Sequence, residues 1–380
     1  MKQSIKKIFL MFILILLLTG CNTKDFEDKE KNNVSKGETV NKEVYEEKSV
    51  LNQNGDEKNN DEGVKENDKN VEVDFEKVKP NEAGQVMILM YHSLGEEKNN
   101  YIRSIENFKE DLKLLYEKGY RLVSLKDFIN NNIDIEAGKT PVVLTFDDGN
   151  KTDFRIIKEN GNKKVDPNCA VGILQDFNKE HPDFGLEATF FINGGSNTFG
   201  QKDLLEYKLK YILEKGMDIE NHTYNHINLG KASVNDIQKT LAKNVEFIKK
   251  YLPDYEMSIL ALPFGVRPKD KEKRKYLYEG SYEGVHYKNI GILAVGWKPE
   301  HASIHKDFNP NYIHRVQGYS GKFGIRYWLE YFDKHPEKRY ISDGDKDTVT
   351  IPESMLNFID KSKLGSKNLR TYQIKKEEDN

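Results

Sequence analysis

From residue 85 onward the chain alternates short, continuously apolar runs with stretches whose apolar residues recur at helical spacing, and this alternation limits the folds open to it. The runs read QVMILMY, PVVLTF, LEATFFIN, MDIEN, ILALPF and IGILAVGW. Between them, Phe108, Leu112 and Leu115 share a helix face that stops at Gly119, and Ser124 can cap a second helix carrying Phe128 and Ile129. Ile237, Leu241, Val245 and Ile248 stay in helical register between Ser233 and Leu252. Strands that are apolar throughout, separated by amphipathic helices, make a parallel sheet covered by helices. Six or seven such units over about 240 residues predict an α/β fold closed into a barrel rather than an open doubly wound sheet. In either arrangement functional residues collect where strands end.

The segment before residue 85 is of another kind. Lys2, Lys6 and Lys7 precede an apolar run from Ile8 to Leu18, shorter than the roughly 20 residues that span a bilayer, so it reads as a secretion signal. It ends in Leu18-Thr19-Gly20-Cys21, which resembles the lipobox of bacterial lipoproteins. Residues 1–21 are therefore expected to be a lipoprotein signal, with Cys21 lipidated and the protein held at the outer face of the cell membrane. Residues 22–84 are rich in Lys, Glu, Asp and Asn and poor in large apolar side chains, as expected of a disordered tether. The net charge of −3 over 380 residues offers no broad basic face, which speaks against a nucleic-acid partner. With two cysteines, Cys21 and Cys169, the chain builds neither a disulfide framework nor a cysteine zinc site. The folded domain is expected over 85–320, with residues 150–185 decorating its rim. The extension 321–380, which contains FGIRYWLEYFDKH, receives no role from sequence.

Polar residues sit where the strands end. Asp147 and Asp148 close PVVLTF, His222 and His226 follow DIEN, His92 follows VMILMY, and Trp297 closes ILAVGW. A lone Asp-Asp-Gly is usually a turn, and a lone His-x-x-x-His is as often helix surface as ligand pair. Together, at the ends of different strands of one barrel, they point to a metal site. Two histidines four apart in a helical turn share one side, and one carboxylate would complete a set that leaves room for water and substrate.

Thr145-Phe146-Asp147-Asp148-Gly149 and His222-Thr223-Tyr224-Asn225-His226 resemble the first two motifs of the NodB-type polysaccharide deacetylases, carbohydrate esterase family 4. The resemblance runs from Val86 to Arg315 and includes ILMYHSL, ENFKEDLKLLYEKGYRLVSL and ATFF. It implies a distorted (β/α) barrel, one divalent metal ion, usually zinc, and removal of acetyl groups from N-acetylglucosamine units of a polysaccharide. On this resemblance Asp148, His222 and His226 would bind the metal and Asp147 would be the general base. The backbone N–H of Phe264 would help hold the oxyanion.

The chain also departs from the family pattern. The third motif is Ala261-Leu262-Pro263-Phe264-Gly265, with no arginine to steady the base, leaving Arg267 and Arg315 as candidates. Gly296 precedes Trp297 where the family has Asp, and no Leu-x-x-His follows. Both departures resemble the poly-N-acetylglucosamine deacetylases, whose proton donor stands at the start of the barrel. His92 matches that position, and His314 in YIHRV is the second candidate. Tyr224, Phe264 and Trp297 could present flat faces to sugar rings; core packing is the expectation for Phe264, and Trp297 is left open between the two. The expected activity is metal-dependent de-N-acetylation of a cell-wall or extracellular glycan. The alternative is a carbohydrate-binding lipoprotein with the same fold and little activity. A solute-capture lipoprotein would need two lobes around a cleft, and the single run of strand and helix units speaks against it.

Overall fold

The computed structural model describes residues 73–374. The signal segment, Cys21 and the tether as far as residue 72 lie outside the described residues. The fold is organised by a nine-stranded sheet of which β1 (Gln85–Tyr91) and β3 (Thr140–Asp148) are the centre. These two pair in parallel from Met87 opposite Val142 to Tyr91 opposite Phe146. Next to β3 come β4 (Thr189–Ile192), β5 (Asp218–Asn221), β6 (Ile259–Ala261) and β7 (Gly291–Leu293), all parallel. The short β2 (Tyr120–Leu122) pairs with the start of β3. On the other side of β1 lie β8 (Glu300–His301), antiparallel to it, and β9 (Val316–Gln317), parallel to it. A bridge from Leu293 to Ile313 ties β7 to the segment entering β9, so the sheet curls round onto itself. The result is a distorted β/α barrel.

Helices α1 (Ile105–Glu117), α2 (Leu125–Ile129), α3 (Ala170–Glu180), α4 (Leu205–Glu214), α5 (Val234–Lys249), α6 (Lys271–Tyr278) and α7 (Ile325–Lys334) occupy the connections. Ser104, Ser124 and Ser233 cap α1, α2 and α5, each accepting the N–H three residues on. The strands sort their side chains by the two-residue period of the pleat. Met87 and Leu89 join Val142 and Leu144 in the larger cluster beneath the helices. Val86, Ile88, Val143, Phe191, Ile259, Ala261 and Leu293 form the second cluster, on the opposite face of the sheet.

Two domain boundaries move. The tether was read as far as residue 84, but Phe75–Val78 is helical and Pro80 to Gly84 are buried. The cause is backbone pairing that local composition does not reveal: Asn81 bridges Ile341, and the carboxylate of Glu82 accepts the N–H of Thr350 at 2.8 Å. The stretch after residue 320 is likewise part of this folded unit. Ile325, Leu329 and Phe332 of α7 are buried, and Thr348–Pro352 pairs in parallel with Asn368–Tyr372.

Residues 150–185 leave the C-terminal end of β3, as the rim expectation required. They contain an antiparallel hairpin, Ile156–Glu159 with Asn162–Val165, and then α3. Cys169, just before α3, is buried and unpaired.

Candidate active site

Neighbouring residues on a strand point to opposite faces, so Asp147 and Asp148 would part company on an ideal β3. Asp147 follows Val143 and Thr145 inward. Asp148 does not simply point outward, because it takes a left-handed conformation, φ 78°, which breaks the pleat. Its carboxylate thereby meets both histidines: Oδ1 lies 3.4 Å from Nε2 of His222 and 3.4 Å from Nε2 of His226. The potential ligand atoms of these three residues all lie within 4.8 Å of one another.

His222-Thr223-Tyr224-Asn225-His226 is not a helical turn, contrary to the expectation from its spacing. The segment is irregular, with Thr223 (φ 65°) and His226 (φ 51°) both left-handed, and this is how the rings reach the same carboxylate. Buried amides hold the loop: Nδ2 of Asn193 donates to the carbonyls of His222 and Thr223, and Asn244 donates to Ile192 and Asn221. Sequence analysis missed both asparagines, which have no motif of their own.

The donor set fits a divalent ion. Nδ1 of His222 contacts the carbonyl oxygen of Ala261 at 2.9 Å, and a carbonyl can only accept. The proton is therefore on Nδ1, and the lone pair of Nε2 faces Asp148. Two imidazoles and one carboxylate beside a cavity of about 460 Å³, which Asp148 and His226 line, make an open-sided site. A second group, His301, His305 and Asp307, also brings its ligand atoms close. There the two imidazoles stack at 4.0 Å with only 17° between their planes, so their in-plane lone pairs do not converge on one ion.

Asp147 is buried against Arg315. The guanidinium grips both carboxylate oxygens at 2.7 Å and donates as well to Thr145 Oγ1 and the Ala294 carbonyl. Burial by itself would push the Asp147 carboxyl up. Arg315, helped by His222 and His92, more than reverses that and holds it far below the usual carboxylate range. The arginine missing from the third motif is thus supplied by the segment that leads into β9. Arg267 lies elsewhere, its guanidinium 3.9 Å above the Tyr312 ring. Gly296 is explained by the same packing: a Cβ there would stand 1.7 Å from the Arg315 carbonyl oxygen, so no aspartate can occupy it.

His92, just beyond β1, points its Nε2 to within 3.9 Å of Asp147 Oδ2, and its ring edge meets Tyr101 at 4.8 Å. Burial lowers its pKa, and the attraction of Asp147 and Asp148 only partly offsets that. His314 is turned away to Glu300, with Nδ1 at 2.8 Å from Oε2. Phe264 is not in the core: it is 60% exposed, left-handed at φ 59°, and its ring lies 4.6 Å from that of His226. Trp297 is 56% exposed. Tyr224 is partly buried, edge-on to Phe247.

Residues 134–279, which contain both motifs, match the family model described as polysaccharide deacetylase. These residues are similar to a polysaccharide deacetylase domain. YxkH of Bacillus subtilis, whose name assigns it to the polysaccharide deacetylases, is 24% identical over 190 residues, 50% of this chain and 60% of that protein. The chain thus spans less than two thirds of that relative. The Streptococcus pyogenes deacetylase PplD, solved with acetate, superposes with a TM-score of 0.47 at 20% identity over 65% of this chain and 97% of that one. IcaB from Ammonifex degensii gives 0.43 at 17% identity over 62% and 91%. The architecture is the NodB-type deacetylase fold, a distorted (β/α) barrel.

Proposed function

We propose that the protein is a divalent-metal-dependent hydrolase that removes N-acetyl groups from N-acetylglucosamine units of an extracytoplasmic polysaccharide. The observation that carries this reading is Asp147: a buried carboxylate kept ionised by Arg315, directly beside a three-residue donor set. Asp148, His222 and His226 would hold the ion, for which zinc is the first choice. When bound, a divalent ion polarises the acetyl carbonyl and makes water more acidic.

The chain's own groups supply the rest. Asp147 takes the proton from the attacking water, and Arg315 keeps it ionised and aimed. Its low pKa makes it available over the whole neutral range at the cost of a weaker proton affinity. The N–H of Phe264, at the rim turn beside His226, serves the developing oxyanion. Expulsion of the amine requires a proton. His92, whose Nε2 lies 3.9 Å from Asp147, can deliver it, whereas His314 is engaged by Glu300.

A carbohydrate-binding protein without chemistry is the alternative that the missing third-motif arginine raised; Arg315 on Asp147 supports the catalytic reading over it. The lipid anchor on Cys21 and the location outside the membrane remain part of the proposal on the strength of the lipobox alone. The test is acetate release from peptidoglycan, poly-N-acetylglucosamine and chitin-like oligomers, with and without chelator. Release unaffected by verified metal removal, or no release from any N-acetylated glycan by metal-loaded protein, would refute the reading.

A further inference from the structure

The loop that carries His222 and His226 borders two cavities. One lies beside the donor set, lined by Asp148 and His226; the other, of about 670 Å³, opens between the loop and α5, and Asn225 lines both. Its volume falls within the roughly 300–1,000 Å³ of small-ligand sites. Loop and helix are fastened together, because the N–H of Tyr224 donates to the carbonyl of Thr240 at 3.0 Å and to its Oγ1 at 3.1 Å. A group held in the second cavity therefore has a fixed position next to the proposed active site.

The lining of that cavity is cationic. Lys231, Lys239 and Lys243 border it with a single acid, Asp236. Asp236 is already engaged, its carboxylate accepting the Ser233 hydroxyl at 2.7 Å. Further along the same helix the lysines are matched to carboxylates, Lys249 to Glu256 at 2.6 Å and Lys250 to Glu246 at 3.5 Å. Among the described residues, none of the three lysines at the cavity is ion-paired. Lys239 has only the Tyr282 ring, 5.8 Å from its Nζ to the centroid, which orients a cation without cancelling its charge. In a chain of net charge −3 such a grouping is not the surface average. Unmatched cations around one cavity repel one another, and an entering anion relieves that repulsion.

We propose that this cavity receives an anionic substituent, a carboxylate or a phosphate, carried by a glycan unit next to the one being deacetylated, with Lys231, Lys239 and Lys243 supplying the opposite charge. The ligand is an anion because the lining offers ammonium donors and its one carboxylate is spent. It belongs to a glycan because Asn225 joins this cavity to the site proposed for the sugar substrate, and Ile227 and Ala232 give the cavity an apolar wall for the ring that bears the charge. This inference rests on the deacetylase reading. It makes the protein selective for acidic polysaccharides over neutral ones.

The experiment measures acetate release by metal-loaded full-length protein from N-acetylglucosamine oligomers of one length in three forms: uncharged, with lactyl ethers bearing a carboxylate on alternate units, and with phosphate esters on alternate units. Wild type should favour an anionic form by kcat/KM. Preference for the carboxylated form assigns the cavity to a glycan acid and preference for the phosphorylated form to a phosphate, and either supports the proposal. In the double variant Lys239→Gln, Lys243→Gln the preference should fall about 2- to 30-fold, the range of two part-exposed ion pairs. It should also fade in wild type as salt rises from about 0.05 to 0.5 M. Lys239→Arg with Lys243→Arg keeps both charges and should keep the preference. Equal kcat/KM of wild type on all three forms overturns the proposal, and so does an equal fall on all three in the glutamine variant, which would mark the lysines as structural. An intact preference in that variant together with lost binding to phosphatidylglycerol vesicles also overturns it and assigns the cavity to a membrane surface. Retention of metal-free protein on the immobilised oligomers separates this proposal from the deacetylase reading. If wild type releases no acetate but is retained on an anionic oligomer, and the glutamine variant is not, the deacetylase reading fails and the anion site stands. Normal acetate release with equal retention on all three oligomers sinks the anion site alone.

Discussion

Arg315→Met removes the partner of a carboxylate that the barrel has sealed from water. Both oxygens of Asp147 are held at 2.7 Å, and neither side chain is exposed beyond 2%. Breaking a buried pair by deleting one member leaves a buried charge, which costs about 3–5 kcal/mol. With an unfolding entropy of about 2.1 cal/mol/K per residue over roughly 300 folded residues, that lowers Tm by about 5–8 °C. The pH dependence carries the test. In the wild type Asp147 titrates below its unfolded value, so its stabilisation is complete above about pH 4 and is lost only as pH falls through the folded value. In the variant burial is opposed only by His222 and His92, so the pKa is expected to rise above the unfolded value and stability to be lost as pH rises. The Tm deficit is therefore largest at neutral pH and shrinks towards pH 4 as the carboxyl takes a proton. Thermal unfolding of metal-stripped wild type and variant at pH 7.5 and pH 4.5 measures it. Arg315→Lys should fall between them, since it keeps the charge and loses the two-pronged grip. A deficit below about 1 °C, or one equal at both pH values, would refute the argument that the ion pair holds Asp147 ionised.

The donor set is tested by metal analysis. Wild type should carry about one divalent ion per chain, Asp148→Ala should lose it, and Asp147→Asn should keep it while turnover falls about 100-fold or more; loss of the ion from Asp147→Asn would reverse the two roles. His92→Asn should leave metal content intact and cut turnover while displacing the alkaline limb of the pH profile; a collapse in His314→Asn with a near-normal His92 variant would transfer the proton donor to His314. Glu82 has a carboxyl pushed up to about 8 by burial and by Asp343, so its contribution is complete below about pH 4.5 and lost as pH rises to 8. Glu82→Gln should flatten the loss of Tm over that interval, and an unchanged slope would exclude Glu82 as its source. Cys21→Ala should free the protein from membranes or leave it unprocessed, and normal cleavage with membrane association unchanged would reject the lipobox.

What could be read from the sequence was what lies close together in it. Asp147 with Asp148, and His222 with His226, are local pairs at strand ends, and the strand and helix periods that place them are local as well. The turn that makes them useful was not legible, because no glycine or other local signal marks Asp148, Thr223 and His226 as left-handed, and for β-branched Thr223 the angle is uncommon. A four-residue histidine spacing suits a helix and an irregular loop equally well. Phe264 was expected inside because large apolar side chains usually pack in the core, and no sequence signal marks one held outward. Arg315 lies 168 residues from the carboxylate it grips, so nothing local pairs them. Asn193 and Asn244 are the same case, two buried amides whose partners, the His222 and Thr223 carbonyls for one and the Ile192 carbonyl and Asn221 side chain for the other, lie more than 20 residues away in sequence.

The long-range members also set the boundaries of the working unit. The family match covers residues 134–279, which hold Asp147, Asp148, His222, His226 and Phe264. It leaves out β1, which carries His92 to the rim, and β9, before which Arg315 reaches Asp147. These two strands pair with each other, and the bridge from Leu293 to Ile313 joins the same region to β7. The segment that closes the barrel is therefore also the one that neutralises the buried carboxylate. An open edge here would leave backbone groups unpaired and expose Asp147 to water, so closure and ionisation of the proposed base depend on one another. That dependence accounts for both departures from the family pattern at once: with the arginine arriving on the segment that leads into β9, Ala261 needs no charge, and the backbone that delivers the arginine leaves room only for glycine at 296.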